Sequence, residues 1–339
     1  MVFKRFIQFL IAASVIALAI CVFLIWYGFK QLQQPLGMPE PLLFEVKRGM
    51  HARTIISQLN SQGAQLQVTP TYLASRILDK PERLQAGVYQ VMPEDTVKGL
   101  WQKLRNGEQY QFRVALVEGR TLFEWLQQLQ QSDHLKQTLQ NVPRKELNQQ
   151  LASHLNVEMA SFEGQFFPDT YNYTAGTKDI DILKQAFQRM QGELSTVWAS
   201  RDADLPYENA FELLIMASII EKETGLSGER KRVSSVFINR LRAGMRLQSD
   251  PTTIYGIDDF DGNLTRAHLR EQTAYNTYRI NGLPPTPIAM PSLSSLEAAA
   301  HPETTDYFYF VADGSGGHVF SKTLAEHNRA VNKYQRNQN

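Results

Sequence analysis

Apolar positions follow three different periods along this chain, and each period predicts a different kind of element. From Phe6 to Phe29 the run is continuous apart from Gln8, Ser14 and Gly28, with Lys4 and Arg5 before it and Trp26, Tyr27 and Lys30 closing it. That length reaches across a hydrocarbon core of about 30 Å, and the aromatic pair suits a membrane–water interface. A cleaved signal peptide has a shorter apolar core and a small-residue cleavage site, so an uncleaved anchor is expected. Leu18-Ala19-Ile20-Cys21 is a poor lipoprotein signal, because Ile20 is bulky and the apolar run continues beyond the cysteine. The positive charges before the span outnumber the one lysine just after it. Residues 1–5 are therefore expected in the cytoplasm, 6–29 across the inner membrane, and the remainder exported to the periplasm.

Residues 30–41, with Pro35, Gly37, Pro39 and Pro41, read as a short stiff tether. A repeat follows. Val46 to Leu59 aligns without gaps with Val91 to Leu104, and a weaker copy starts at Leu116 with Glu118-Gly119-Arg120-Thr121 as its turn. Each copy reads as a strand, a polar turn and a helix with matching apolar positions. With a further helix expected over Thr69 to Leu78, residues 42–110 have the strand, helix, helix, strand layout of a LysM-like module, similar to known peptidoglycan-binding units. A generic domain-contact unit has the same layout, since fold does not fix function. Leu126 to Leu151 reads as a surface helical hairpin broken at Pro143. Helices are expected over Asp179–Leu194 and Glu229–Ala243, and strands over Tyr307–Ala312 and His318–Phe320. Residues 111–339 thus form a larger mixed domain, and the fold class is α+β.

The most informative helix covers Phe211 to Glu223. It carries no charge from Leu213 to Ile220, so it should cross a domain interior and deliver Glu221 at its end. Glu221 continues the stripe of Ala217 and Ser218, whereas Glu223 points about 200° away, so the two cannot share one cleft. A carboxyl in the last turn of a buried helix has its pKa raised by desolvation and by the helix dipole, as general acid catalysis needs. The bland alternative is a glutamate leaving the helix into solvent or into a salt bridge with an arginine.

A net charge of +1 gives no basic field for nucleic acid. The only cysteine, Cys21, lies in the span, so the exported part has no disulfide, thiol nucleophile or thiolate metal site. No Gly-rich phosphate loop, HExxH pair or GxSxG elbow is present, and no metal or other cofactor is expected. The aromatic loop Glu163 to Tyr173 has residues that stack on sugars when exposed, although such loops more often pack on their own domain.

The motifs E-G-x-F-x-P-D-T-Y at Glu163–Tyr171, A-S-I-I-E-K-E at Ala217–Glu223, V-F-I-N-R-L and G-M-x-L-Q-S-D-P-T between Val236 and Thr252, Y-N-T-Y at Tyr275–Tyr278, and G-L-P-P-x-P-I at Gly282–Ile288 occur in order. With the closing Y-F-V, G-G-H-x-F and E-H elements, the chain resembles the endolytic murein transglycosylase family over nearly its whole length. The resemblance implies a membrane-anchored lyase of peptidoglycan that cuts the β-1,4 bond between N-acetylmuramic acid and N-acetylglucosamine without water. It leaves 1,6-anhydro ends, ends the growth of nascent strands and works beside peptidoglycan synthases, the penicillin-binding proteins. It implies Glu221 as the catalytic acid, protonated at the start and serving both proton transfers. Gln248, Asp250, Asn276 and Tyr278 are candidates for contact with the glycan, though asparagine and tyrosine in loops often only hold turns and Asp250-Pro251 also suits a helix N-cap. Glu118 and Glu163, each before a glycine, suit turns. Two other functions fit the same sequence: a non-catalytic wall-binding scaffold that recruits synthases, and a glycan hydrolase using Asp250 as second carboxylate.

Overall fold

The computed structural model describes residues 2–140 and 142–336. Its elements run α1 (Val2–Gln33), β1 (Leu42–Val46), α2 (Ala52–Ser61), α3 (Val68–Ala74, continued by a π-helical turn Ser75–Asp79), β2 (Gly87–Val91), α4 (Val97–Asn106), β3 (Phe112–Leu116) and α5 (Leu122–Gln130). There follow α6 (Arg144–Leu155), β4 (Asp169–Tyr173), α7 (Asp179–Ser200), α8 (Ala210–Glu223), α9 (Arg230–Arg242), α10 (Asp250–Tyr255), α11 (Leu293–Ala300), β5 (Tyr309–Ala312), β6 (His318–Ser321) and α12 (Leu324–Val331). The strands pair as β1–β2, β3–β4 and β5–β6, a mixed α+β protein with an apolar N-terminal helix. The chain divides into two compact units, one up to Phe112 with Asn172–Gly176, the other comprising Arg113–Tyr171 and Thr177 onward.

In the first unit β1 and β2 are antiparallel, from Leu42 opposite Val91 to Val46 opposite Gly87. Alternate strand residues Phe44, Val46, Tyr89 and Val91 face inward, where they meet Ile55, Ile56 and Leu59 of α2 and Leu100, Trp101 and Leu104 of α4. The indole N–H of Trp101 donates to Ser75 Oγ at 2.9 Å, so this buried ring leaves no polar group unpaired. The helix-helix-strand order after β1 has the layout read from the sequence. Residues 30–41 are not a free tether: α1 continues to Gln33, and Leu32, Leu36 and Met38 are buried in this core. The backbone of Leu36 donates to Asp95 O at 2.8 Å and accepts from Gln65 N at 2.9 Å. Three apolar side chains among the prolines outweigh the stiffness that the prolines suggest.

The strand–turn–helix repeat is regular. Each helix begins six residues after its strand ends, at Val46 and Ala52, Val91 and Val97, and Leu116 and Leu122. Thr96 caps α4 by accepting from Gly99 N, and Thr121 caps α5 in a reciprocal box with Glu124. Gly49 and Gly119 turn the first and third copies at φ of 85° and 72°, a region costly for any residue with a Cβ.

The second unit is built around α8. All eight residues from Leu213 to Ile220 are buried, and α8 packs against α7, α9 and α11. Asn209 caps its start by accepting from Glu212 N, and Ser218 Oγ accepts from Ile288 N at 3.0 Å, tying the Gly282–Ile288 loop to the helix. Instead of a surface hairpin, the glutamine- and leucine-rich segment contributes Leu126, Leu129, Leu135, Leu139, Leu147 and Leu151 to the interior. The aromatic loop is interior too: Phe162, Phe166, Phe167 and Tyr171 are all buried. Gly164, at φ 76°, has Pro287 Cβ only 2.4 Å from where a Cβ would stand, so this turn requires glycine. Glu163 is buried and holds structure, accepting from Leu122 N at 2.9 Å and from the Tyr255 hydroxyl at 3.1 Å.

Candidate active site

The last turn of α8 sends its two glutamates into different surroundings, as a separation of about 200° requires. Glu221 enters a closed polar junction. Its Oε1 accepts from the Arg230 guanidinium at 3.1 Å, and its Oε2 accepts from Ser292 N at 2.9 Å and Ser292 Oγ at 2.5 Å. Its side chain is only 4% exposed. Arg230 opens α9 and also donates to Ser294 Oγ at 2.6 Å, while Ser292 caps α11. One carboxylate therefore ties the end of α8 to the starts of α9 and α11.

Glu223 lines a cleft of about 360 Å³ together with Arg240, Gln248, Asp250, Tyr278, Tyr309, His318 and His327. Three partners reach the glutamate or its neighbours from outside α8. Ser249 precedes α10 and donates its hydroxyl to Glu223 Oε1 at 2.5 Å. Tyr278 donates its hydroxyl to Asp250 Oδ1 at 2.7 Å. Arg240 reaches the cleft from α9, its Nε donating to Phe308 O at 2.7 Å and its Nη1 to Leu247 O at 2.5 Å. Gln248 adopts φ 52°, a left-handed backbone conformation uncommon for a residue with a side chain.

Burial pushes the Glu223 carboxyl up to about 7, and the nearby Asp250 charge adds to the rise, against the Ser249 hydrogen bond and the Arg240 guanidinium. Burial and the hydrogen bond to Asp250 raise the Tyr278 hydroxyl, and burial lowers His327. The folded state holds the Glu223 proton more tightly than the unfolded chain, so this contribution is complete below pH 4.5 and is lost as pH rises through about 7. Glu223→Gln cannot ionise, so the native protein is expected to lose up to about 3 kcal/mol relative to this variant between pH 4.5 and 8, read by denaturant unfolding at both pH values.

Residues 44–333 match the YceG-like family. This chain belongs to that family. It is 33% identical over 266 residues to the endolytic murein transglycosylase of Bacillus subtilis (strain 168), covering 74% of this chain and 73% of that protein. It is 31% identical over 175 residues to the endolytic murein transglycosylase of Streptococcus pneumoniae (serotype 2, strain D39), which covers half of this chain and 31% of that longer one. A crystal structure of a yceG-like protein from Listeria monocytogenes superposes with a TM-score of 0.53 at 26% identity, over 86% of this chain and 98% of that one.

Of the candidate residues in this YceG-like chain, the cleft gathers Gln248, Asp250 and Tyr278 but neither Glu221 nor Asn276. Asn276 is fully buried and spans its own loop, donating to His268 O and Glu271 O at 3.1 and 2.7 Å and accepting from Tyr278 N at 3.0 Å. Asp250 is the first residue of α10 rather than its N-cap; Ser249 holds that place and gives its hydroxyl to Glu223. A second cleft of about 590 Å³ is bordered by Arg230 and Ser294, and Glu221 is not among its lining residues. Arg240, His318 and His327 were not singled out from the sequence. Arg240 carried a signal, since a charged residue on the apolar face of Val233, Val236 and Phe237 has to have a polar destination. Among the described residues no group of three or more His, Cys, Asp or Glu is suited to hold a metal ion.

Proposed function

We propose that this protein is a peptidoglycan lytic transglycosylase that cuts the β-1,4 bond between N-acetylmuramic acid and N-acetylglucosamine within a strand, with Glu223 rather than Glu221 as its acid. The observation that carries this reading is a carboxyl that retains its proton up to about pH 7 at the wall of a polar cleft, in a chain related to enzymes named endolytic murein transglycosylases. Glu223 donates its proton to the glycosidic oxygen as the C1–O bond breaks. The muramyl 6-hydroxyl then bonds to C1, and its proton passes to the Glu223 carboxylate. The products are a free 4-hydroxyl and a 1,6-anhydro end; no water is consumed and the acid is restored. An intramolecular hydroxyl takes the place of the second carboxylate that a hydrolase needs. Between the transfers, the Arg240 guanidinium stabilises the ionised Glu223 and the Ser249 hydroxyl keeps it oriented. Glu221 holds three helix ends together.

The apolar helix α1 is suited to anchor the enzyme in the inner membrane with its N-terminus in the cytoplasm, the rest working in the periplasm on strands as synthases extend them. Cutting there would terminate elongation. The β1–α4 unit, LysM-like in layout, would then meet the glycan near its site of synthesis.

Asp250 supports a second reading, a two-carboxylate hydrolase, because it lines the same cleft as Glu223. Digestion of purified glycan in heavy-oxygen water separates these readings. Transglycosylation leaves anhydro ends without label, hydrolysis leaves reducing ends carrying it, and a wall-binding scaffold leaves the strands intact.

A further inference from the structure

A surface of the first unit combines an apolar pair on α3, the helix packed on the last turns of α1, with a basic pocket on the same helix. The helix α3 and its π-helical turn lie against the last turns of α1. Tyr27 donates its hydroxyl to Gln67 Oε1 at 3.1 Å, and Thr71 Oγ1 donates to Gln31 Oε1 at 3.1 Å. A Cβ on Gly28 would stand 2.8 Å from Leu78 and 3.8 Å from Ala74. Along α3 and its π-helical turn, Ala74 and Leu78 face Gly28 of α1, Thr71 and Ser75 are fully buried, and Leu73 and Ile77 form an exposed apolar pair beside them. Leu73 and Ile77 are 49% and 68% exposed. Beyond them come Tyr72 and Arg76.

These two line a pocket of about 420 Å³ with His51, Lys80, Glu82 and Arg83. Its three permanent cations face one acid, because nearby Asp79 is already taken by Arg105 at 3.2 Å. Lys80 and Arg83 both hold left-handed backbone, at φ 45° and 59°, and the preceding turn is π-helical. Strained residues and π turns gather where a surface has work to do.

Position decides what that work is. If the apolar run enters the bilayer at Phe6, about 20 residues bring it across, so Trp26 and Tyr27 lie at the far interface and Gly28 at headgroup level. The α3 segment packed on Gly28 then lies on the membrane surface. An apolar stripe flanked by cations is the pattern of a helix resting in the interface of an anionic bilayer.

We propose that this face of the first unit rests on the membrane surface where α1 emerges, with Leu73 and Ile77 among the headgroups and Arg76, Lys80 and Arg83 bound to phosphates of anionic lipid. The proposal rests on the reading of α1 as a membrane span. Because α1 is itself packed into this unit, contact with the bilayer would fix the tilt of the unit on the membrane surface.

The test uses the full chain in a Cys21→Ser background, with one cysteine at Ile77→Cys or, as a control in the span, Leu18→Cys. Each carries a fluorophore and is reconstituted into vesicles of phosphatidylcholine alone or of an even mixture with phosphatidylglycerol, doped with lipids brominated near the headgroup or deep in the chain. The label at 77 should be quenched by the shallow bromines, more strongly in the anionic vesicles, and that gain should be lost in Arg76→Glu/Lys80→Glu/Arg83→Glu protein that retains its circular dichroism. A label at 77 that stays unquenched while the label at 18 is quenched overturns the proposal and leaves the anchor standing. Quenching at 77 that ignores both lipid charge and the charge reversal overturns the phosphate assignment. If the label at 18 is itself unquenched by either lipid, the anchor fails and the proposal falls with it.

Discussion

Glu223→Gln is expected to lower turnover on purified glycan strands by about a thousandfold or more. General acid–base catalysis contributes about 10² to 10⁴ in rate, and here one group serves both the departure of the leaving oxygen and the ring closure. The carboxamide keeps the size of the side chain and can still accept from Ser249, so strand binding should change far less than turnover, and the loss should appear in kcat. In the native enzyme turnover should fall as pH rises through about 7, because the first step needs the proton that Glu223 then loses. Single-turnover release of anhydro ends, followed by chromatography from pH 5 to 9, measures both. A rate that stays level through this range would mean that another group supplies the proton.

The second large effect concerns stability, and it belongs to the other glutamate. Glu221 and Arg230 form an almost fully buried pair at 3.1 Å, and Ser292 adds two more hydrogen bonds to the carboxylate. Removing one member of such a pair strands the other charge in the interior, which costs about 3–5 kcal/mol. Glu221→Met and Arg230→Met are each expected to lower the unfolding free energy by that amount. The double variant should recover most of it, since an apolar pair of similar volume avoids the desolvation of two charges. Denaturant unfolding of the four proteins gives the coupling energy directly. Single-variant losses that simply add would mean that the pair contributes nothing as a pair.

Much of the fold was legible because its signals are local. The uncharged run from Leu213 to Ile220 could only be interior, and the equal strand–turn–helix spacing of the three repeats was readable from matching apolar positions. Even the divergence of Glu221 and Glu223 followed from helix geometry alone. Which of them meets the cleft did not, because their partners come from distant segments: Arg230 and Ser292 for Glu221, Ser249 and Arg240 for Glu223. Glu221 continues the stripe through Ala217 and Ser218, and its expected role as the acid came from the family resemblance. In a helix buried on all sides, the same stripe leads equally well into a packed junction of helix ends. The bland alternative for Glu221, a salt bridge to an arginine, is the arrangement found. Asn276 and the aromatic loop went a similar way: side chains suited to a sugar are as well suited to a loop interior, and only tertiary contacts separate the two. In the segment 30–41 the prolines suggest a stiff linker, but the signal of a packed segment is Leu32, Leu36 and Met38.

The assignment of the acid is tested most directly by the masses of the strand ends that the native protein, Glu223→Gln and Glu221→Gln leave on purified glycan at equal amounts of folded protein. Anhydro ends from the native protein and from Glu221→Gln, with none from Glu223→Gln, are the predicted result. Anhydro ends that persist in Glu223→Gln, or that vanish in a folded Glu221→Gln, would contradict it.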